Sequence, residues 1–551
     1  MADLTPITSW TLADVQHLGR RAGFGLRPEE ATTWQSQSPS TVVDAWVDGA
    51  GAAFDPAAFN TALNTADVVT EPLVKANTTV AGSVDVPEVP GPHPFLTTGQ
   101  QAWRNNLNTA QAFCLWRMQF NPFAFQERMA LFWHNLFATG YHKVINAALM
   151  LKQYHLLRTM ATAKFDDLLV AVSKDPAMCI WLDSVLNNAA GTSVPNENYA
   201  REVMELYSLG ADNGYTQADI TQMARALSGW SFTTADADII VNPTNPGQKT
   251  IADGRFKVYD GSATAPDTAL WYGGAKTTTP NMHATGTITL FGQTFDVTTT
   301  ANGWAKGENA IRAITVARAT QCSQFLAKRL LLHFVTPSAP DSDVNDVALM
   351  IRNASFDMKV VMKTLLKSRY FYQASNRFSL IEGPVSWSVR GARMLCPLLA
   401  QASSQNPQGY PAWRLVTYYG TTLDLLGMKF LDPNGPNGWK EHTAWLTSST
   451  MRHRTKLAAA LALQENAAYN NTSYRLFPGT TTDWFPTAPD SPAAVLNRLV
   501  ALLQPGPLPS SVTNSWLTAL WPSTFTWDAA SQAKARELAF LILCSPAGQL
   551  Y

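Results

Sequence analysis

Apolar residues recur at three- and four-residue intervals along most of this 551-residue chain. That spacing gives a segment one apolar face when it is wound as an α-helix, so the chain is committed to helices that bury those faces on one another. Thr11-Leu12-Ala13-Asp14 reads as a capping box opening a helix through Arg21. Gly23 to Glu30 reads as a tight turn into a second helix, with Pro28 in its first turn. Residues 71–94, rich in Pro, Val, Thr and Gly, read as a non-helical loop. From Gln100 to Ala161 the pattern is helical again, with breaks at Asn121-Pro122 and near Gly140. Pro337 and Pro340 separate two later helices, and a Pro/Asn/Gly knot from Asp432 to Trp439 interrupts the C-terminal set.

Residues 232–304 have a different character. Gly, Thr, Asp and Pro punctuate short runs such as Ile239-Ile240-Val241, Phe256-Lys257-Val258-Tyr259 and Ala269-Leu270-Trp271-Tyr272. Thr287 to Phe291 and Thr294 to Val297 flank Gly292-Gln293, which suits a two-residue hairpin turn. The expected architecture is mainly α, a large multi-helix assembly with a small β-rich insertion. Its parts are a helical region 1–231, the insertion 232–304, and a helical region 305–551 packing on the first.

Composition narrows the function classes. Lys+Arg and Asp+Glu both number 41, and no basic block stands out. A nucleic-acid partner normally requires a basic stripe to neutralise phosphates, so none is expected. No stretch reaches the roughly 18 apolar residues of a transmembrane helix. The N-terminus lacks the basic and apolar regions of a signal peptide, which reads as cytoplasmic. The five cysteines lie far apart with no CxxC pair, as buried free thiols would. The 18 Trp residues suit core packing first and stacking on sugars or rings second.

The most informative segment runs from Pro195 to Gly210. Asn196 is a good N-cap and Gly210 a good C′ residue. At about 100° per residue, Glu197, Ser208, Arg201, Glu205, Asn198 and Glu202 share about 140° of arc. Leu206, Tyr199, Val203, Tyr207, Ala200 and Met204 fill the opposite side. Glu197–Arg201–Glu205 is then an i,i+4 ladder of the kind found on solvated faces. Glu202 lies where the polar face meets Leu206 and Tyr199, the position of a partly desolvated carboxylate. After the turn Asp212-Asn213-Gly214-Tyr215, Thr216 to Asp219 form a capping box for a second helix ending near Gly229-Trp230. Two helices joined by this turn could present Glu202, Glu205 and Arg225 to one cleft. A calcium loop is excluded, because its ligand positions would fall on Leu209, Ala211 and Ile220.

The run from Asn196 through Met204-Glu205-Leu206, Gly214-Tyr215-Thr216 and Ala224 to Trp230 closely resembles the signature of a large bacterial family known as domain-of-unknown-function family 1800. Arg21-Ala22-Gly23-Phe24-Gly25 resembles its N-terminal motif, and Glu127 to Asn135 its second. Gly438-Trp439, Trp445 and Ser545-Pro546 resemble its C-terminal marks. The resemblance spans nearly the whole chain and implies a mainly α fold, but carries no activity with it. It also implies departures. Where the family reads Trp-His-Asn-His, this chain has Leu136 in the last place; Tyr207 stands for a family His. Where the family reads His-Asp-x-Gly-x-Lys, His283 is followed by Ala284, and Ile288 stands for the Lys. With those groups missing, neither a metal nor another cofactor is expected, and His134 with His283 would make only a weak metal site. Relatives often carry export signals, so an exported protein trimmed of its signal is the other reading of location.

Phe165-Asp166-Asp167 reads as a helix N-terminal charge pair. Asp183 reads either as a loop-capping carboxylate or as a second carboxylate facing Glu202. No GxSxG, P-loop or Rossmann pattern is present. The candidate catalytic residues are Glu202, Glu205, Asp183 and Arg225. The candidate binding residues are Arg21, His134, Asn196, Glu197, Asn198, Arg201, Tyr215, Trp230, His283 and Trp439. Together they suggest hydrolase- or lyase-like acid–base chemistry on a small, polar, glycan-like substrate in an aromatic-lined cleft. The alternative is a binding or assembly scaffold that has lost the family's ligands.

Overall fold

The computed structural model describes residues 1–49, part of 107–119, 124–233, 239–241, 249–251, 255–258, 282–295, 303–396, 422–463, 466–469, 472–475 and 481–551. Helices dominate them, as the periodicity requires. The first part carries α1 (Leu12–Ala22), α2 (Pro28–Gln35), α3 (Pro39–Asp48), α4 (Ala124–Leu136), α5 (Tyr141–Val144) and α6 (Ala147–Thr159). It continues through α7 (Phe165–Ser173), α8 (Pro176–Trp181), α9 (Asn198–Glu205) and α10 (Gln217–Ala226). After the strands come α11 (Gly303–Ala317), α12 (Ala319–Phe334), α13 (Asp341–Asn353), α14 (Met358–Lys367) and α15 (Pro384–Leu395). The chain closes with α16 (Ser448–Ala462), α17 (Thr481–Trp484), α18 (Pro492–Leu503), α19 (Ser510–Leu520) and α20 (Ala529–Cys544).

Local chemistry explains several boundaries. The Thr11–Asp14 and Thr216–Asp219 capping boxes are both formed, and Pro28 opens α2. Pro337 and Pro340 fall in the gap between α12 and α13. The central helix is shorter than its sequence pattern. Asn196 does not cap it directly; its Oδ1 accepts the Asn198 N–H at 2.9 Å, and Glu197 occupies the cap position. At the other end Tyr207 N–H reaches Glu202 O, and Leu209 N–H reaches Met204 O. These five-residue steps unwind the helix before Gly210, whose φ of 95° then turns the chain.

The strands form antiparallel pairs: β1 (Trp230–Thr233) with β4 (Arg255–Val258), β2 (Ile239–Val241) with β3 (Lys249–Ile251), and β5 (Ile288–Leu290) with β6 (Gln293–Phe295). The expected strand at Ala269–Tyr272 lies outside the described residues. Two details differ from the sequence reading. Leu290 pairs with Gln293, so the turn is Phe291-Gly292, with φ values of 56° and 78°, and not Gly292-Gln293. The turn is held from outside: Asp219 accepts the Phe291 N–H at 2.8 Å, and the Arg318 guanidinium lies over the Phe291 ring. A fourth antiparallel pair, the hairpin of β7 (Asn466–Tyr469) with β8 (Thr472–Arg475), stands outside 232–304.

One apolar core runs through the helices on both sides of the strands, from Leu18 and Trp133 through Ile314 and Trp387 to Leu543. Much of the Trp content serves it. Trp133, Trp387 and Trp484 are buried, and each indole N–H donates to a backbone carbonyl, of Ala161, Gly548 and Leu395 respectively. None of the five cysteines is in a disulfide, and four are buried. No helix among the described residues is long and apolar enough to cross a membrane.

Candidate functional site

The α9–α10 hairpin divides the charged face of α9 between two jobs. Glu197 turns to α10, where Thr221 Oγ1 and Gln217 Nε2 each donate to it at 2.7 Å. Arg201 joins the seam, 3.4 Å from Glu197 and 3.0 Å from Gln217 Oε1. Glu205 accepts from the Tyr215 hydroxyl at 3.4 Å, and that hydroxyl accepts the Asp212 N–H. The ladder read from the sequence is therefore largely the hinge of the hairpin.

Glu202 is the exception. Its carboxylate is half-buried, and no described residue donates a hydrogen bond to it. Burial raises its pKa above the ordinary carboxylate value; the negative charge of Glu205 adds to this, and Arg201 opposes it. The side chain lines an open cleft of about 660 Å³, a size that suits a small ligand. Asn198, Trp181, Lys143, His142 and Pro436 share its walls.

Asp183 sits beside this cleft in a left-handed conformation, φ 60°. Lys143 Nζ is 2.9 Å from its carboxylate, and Asn198 Nδ2 is 3.4 Å away. Asp183 is thus a paired carboxylate that anchors Lys143 and Asn198, not a free second acid. His142, which sequence reasoning missed, is half-exposed and bonded through Nδ1 to the buried Asp432 at 2.7 Å. Asp432 and Pro436 both belong to the Pro/Asn/Gly knot, so this irregular segment is a wall of the cleft. That composition was visible in the sequence; the pairing, across 290 positions, was not.

The family model described as "Protein of unknown function (DUF1800)" matches residues 17–550. The chain belongs to the DUF1800 family. No curated protein and no solved structure matches it.

The remaining motif residues of this DUF1800 chain lie elsewhere. Arg225 does not meet Glu202: its guanidinium donates to Gln222 Oε1 and to the carbonyls of Thr285 and Thr287, because residues 282–291 fold back against α10. His283 is buried, with Nδ1 2.8 Å from Ser228 O. Trp230 is buried and packs against Gly307, where a Cβ would collide with its ring. His134 is buried among Tyr154, Phe430 and Trp439, and burial pushes its pKa down to about 3. His134 and His283 therefore occupy different surroundings. Among the described residues no three His, Cys, Asp or Glu side chains group closely enough to share a metal ion. Leu136, Tyr207 and Ala284 are all buried.

The DUF1800 motifs do meet, away from the open cleft. Asn135 Oδ1 accepts the Trp439 N–H at 2.7 Å, and its Nδ2 donates to Glu441 at 3.2 Å. Gly438, at φ 71°, has no room for a Cβ against Asn135. Arg21 bonds Ser379 Oγ and Asn376 O, and both Arg21 and Arg128 lie over the Tyr551 ring. Asn135, Arg128, Trp439 and Tyr551 line a cavity of only about 30 Å³, room for little more than a water. These motifs hold N-terminal, middle and C-terminal helices together.

Proposed function

We propose that the Glu202 cleft carries out metal-independent acid–base chemistry on a small, polar, sugar-like molecule, with a hydrolase- or lyase-like outcome. The observation that carries this is the Glu202 carboxylate, half-buried and unpartnered among the described residues at the wall of a ligand-sized cleft. A carboxylate so placed is held closer to protonation than one in water, which suits a group that donates and recovers a proton. Asn198 and Lys143 supply polar contacts, and the edge of the buried Trp181 adds an apolar patch to the wall.

The test is a screen of the purified protein against 4-nitrophenyl glycosides and soluble oligo- and polysaccharides, followed by release of nitrophenol, reducing ends or unsaturated products. Turnover by the wild type that disappears in Glu202→Gln supports the reading. A second reading, a binding or assembly scaffold, is favoured by the use of Glu197, Arg201, Asn196 and Tyr215 in holding the hairpin. It predicts saccharide binding without turnover, equal in wild type and Glu202→Gln.

A further inference from the structure

We propose that His142 is the second proton-transfer group of the cleft, with Asp432 as its positioning residue; this deepens the reading of Glu202 and rests on it. Three elements hold the imidazole. Asp432 Oδ1 lies 2.7 Å from His142 Nδ1 and accepts the His142 backbone N–H at 2.8 Å, so one buried oxygen fixes both ring and backbone. Trp181 packs against the ring at right angles, with centroids 5.1 Å apart. A Cβ at position 140 would lie 2.7 Å from the His142 ring and 2.9 Å from Trp181, so Gly140 lets the two rings pack as they do. A surface histidine needs none of this; a histidine that must keep one orientation does.

The orientation has a chemical consequence. A carboxylate on Nδ1 holds the proton there and leaves the lone pair on Nε2, the nitrogen for which no described residue is a partner. The half-exposed ring lines the same cleft as Glu202, which burial holds toward its protonated form. Hydrolysis of a glycosidic bond then balances. His142 Nε2 takes a proton from water as the water oxygen bonds to the anomeric carbon. The carbon–oxygen bond to the leaving group breaks, and Glu202 gives that oxygen its proton. Exchange with solvent returns the proton from His142 to Glu202. Of the charged groups beside this cleft, Lys429 is paired with Asp432 and Lys143 with Asp183.

The experiment has two arms on the full chain. In the first, the imidazole nitrogens are observed by long-range ¹H–¹⁵N NMR, with His142 assigned by the signal missing in His142→Gln. The proposal expects the Nδ1–H tautomer in the wild type and a loss of that preference in Asp432→Ala. An Nε2–H tautomer overturns it. In the second arm, the saccharide cleaved in the glycoside screen is the probe. His142→Gln should lower kcat about 100-fold or more with KM little changed. Asp432→Asn should lower kcat less than His142→Gln does, with KM little changed, a split that a purely structural role would not give. A His142→Gln variant that turns over like the wild type, in the assay that Glu202→Gln abolishes, overturns His142 and leaves Glu202 standing. An unchanged Glu202→Gln removes the reading of the cleft and His142 with it.

Discussion

The Thr221 hydroxyl donates to Glu197 Oε1 at 2.7 Å and ties the N-terminus of α9 to α10. Gln217 donates to the other oxygen of the same carboxylate. Glu197 is thus a brace. Glu197→Ala should lower stability by about 1 kcal/mol, the loss of one hydrogen bond to the part-buried Thr221 and one to the exposed Gln217, and leave saccharide chemistry at Glu202 intact. Urea unfolding beside a turnover assay checks this. Unchanged stability with lost turnover would place Glu197 in the site instead.

His134 should make the protein acid-sensitive. Its folded pKa is depressed from 6.5 to about 3 by burial. Between those values the unfolded chain takes up a proton that the folded chain refuses. The stability this group permits is present above about pH 6.5 and is lost as pH falls toward 3, by about 1.4 kcal/mol per pH unit. His134→Leu should cost under about 1.5 kcal/mol at pH 7.5 and become the more stable form, relative to wild type, at pH 5. Parallel pH–stability curves would contradict this.

Asp175 acts with the opposite sign. It caps α8, accepting from Met178 N–H and Gln153 Nε2 through the same Oδ1, and burial raises its pKa to about 6. The folded chain therefore holds a proton that the unfolded chain has released. Stability from this group is full below about pH 3.8 and falls as pH rises through 6, by about 3 kcal/mol in all. Asn can accept both hydrogen bonds, so Asp175→Asn should gain on the wild type between pH 4 and pH 7. Melting temperatures at those two pH values decide it; a variant equally far below wild type at both would refute the assignment.

Glu127 lies buried between Arg117 Nε at 2.8 Å and Arg158 Nε at 2.6 Å. Removing one partner from such a group strands the remaining charge. Glu127→Gln should destabilise by about 3–5 kcal/mol, read as a lower urea midpoint at unchanged slope. A loss under about 1 kcal/mol would mean that the two guanidinium groups find other partners.

The parts that read correctly from the sequence are those fixed within a few residues. The Thr11 and Thr216 capping boxes, the β5–β6 hairpin and the boundary position of Glu202 on α9 all follow from local spacing. The errors arise where distant segments decide. Arg225 bonds residues 285–287 because the chain folds back there, which no local pattern states. The β5–β6 turn shifts by one residue to Phe291-Gly292, held by Asp219 from α10 and Arg318 near α12. Asn466-Ala467-Ala468-Tyr469 pairs as a strand without an alternating apolar pattern to announce it. His142 is not legible in the sequence as a cleft residue, because its place depends on Asp432, which lies 290 positions away in a Pro/Asn/Gly segment that reads only as a loop.

Glu202 is proposed as the chemical group of the cleft, and its motif neighbours Glu197, Arg201 and Tyr215 as braces of the hairpin. The direct measurement pairs thermal melts of wild type and Glu202→Gln with their rates on whichever saccharide the screen identifies. A half-buried carboxylate with no donor gains nothing from its charge, so Glu202→Gln should melt at or slightly above the wild-type temperature while turnover falls about 100-fold or more. A melting temperature well below wild type, with turnover kept per folded molecule, would instead make Glu202 one more brace of the hairpin.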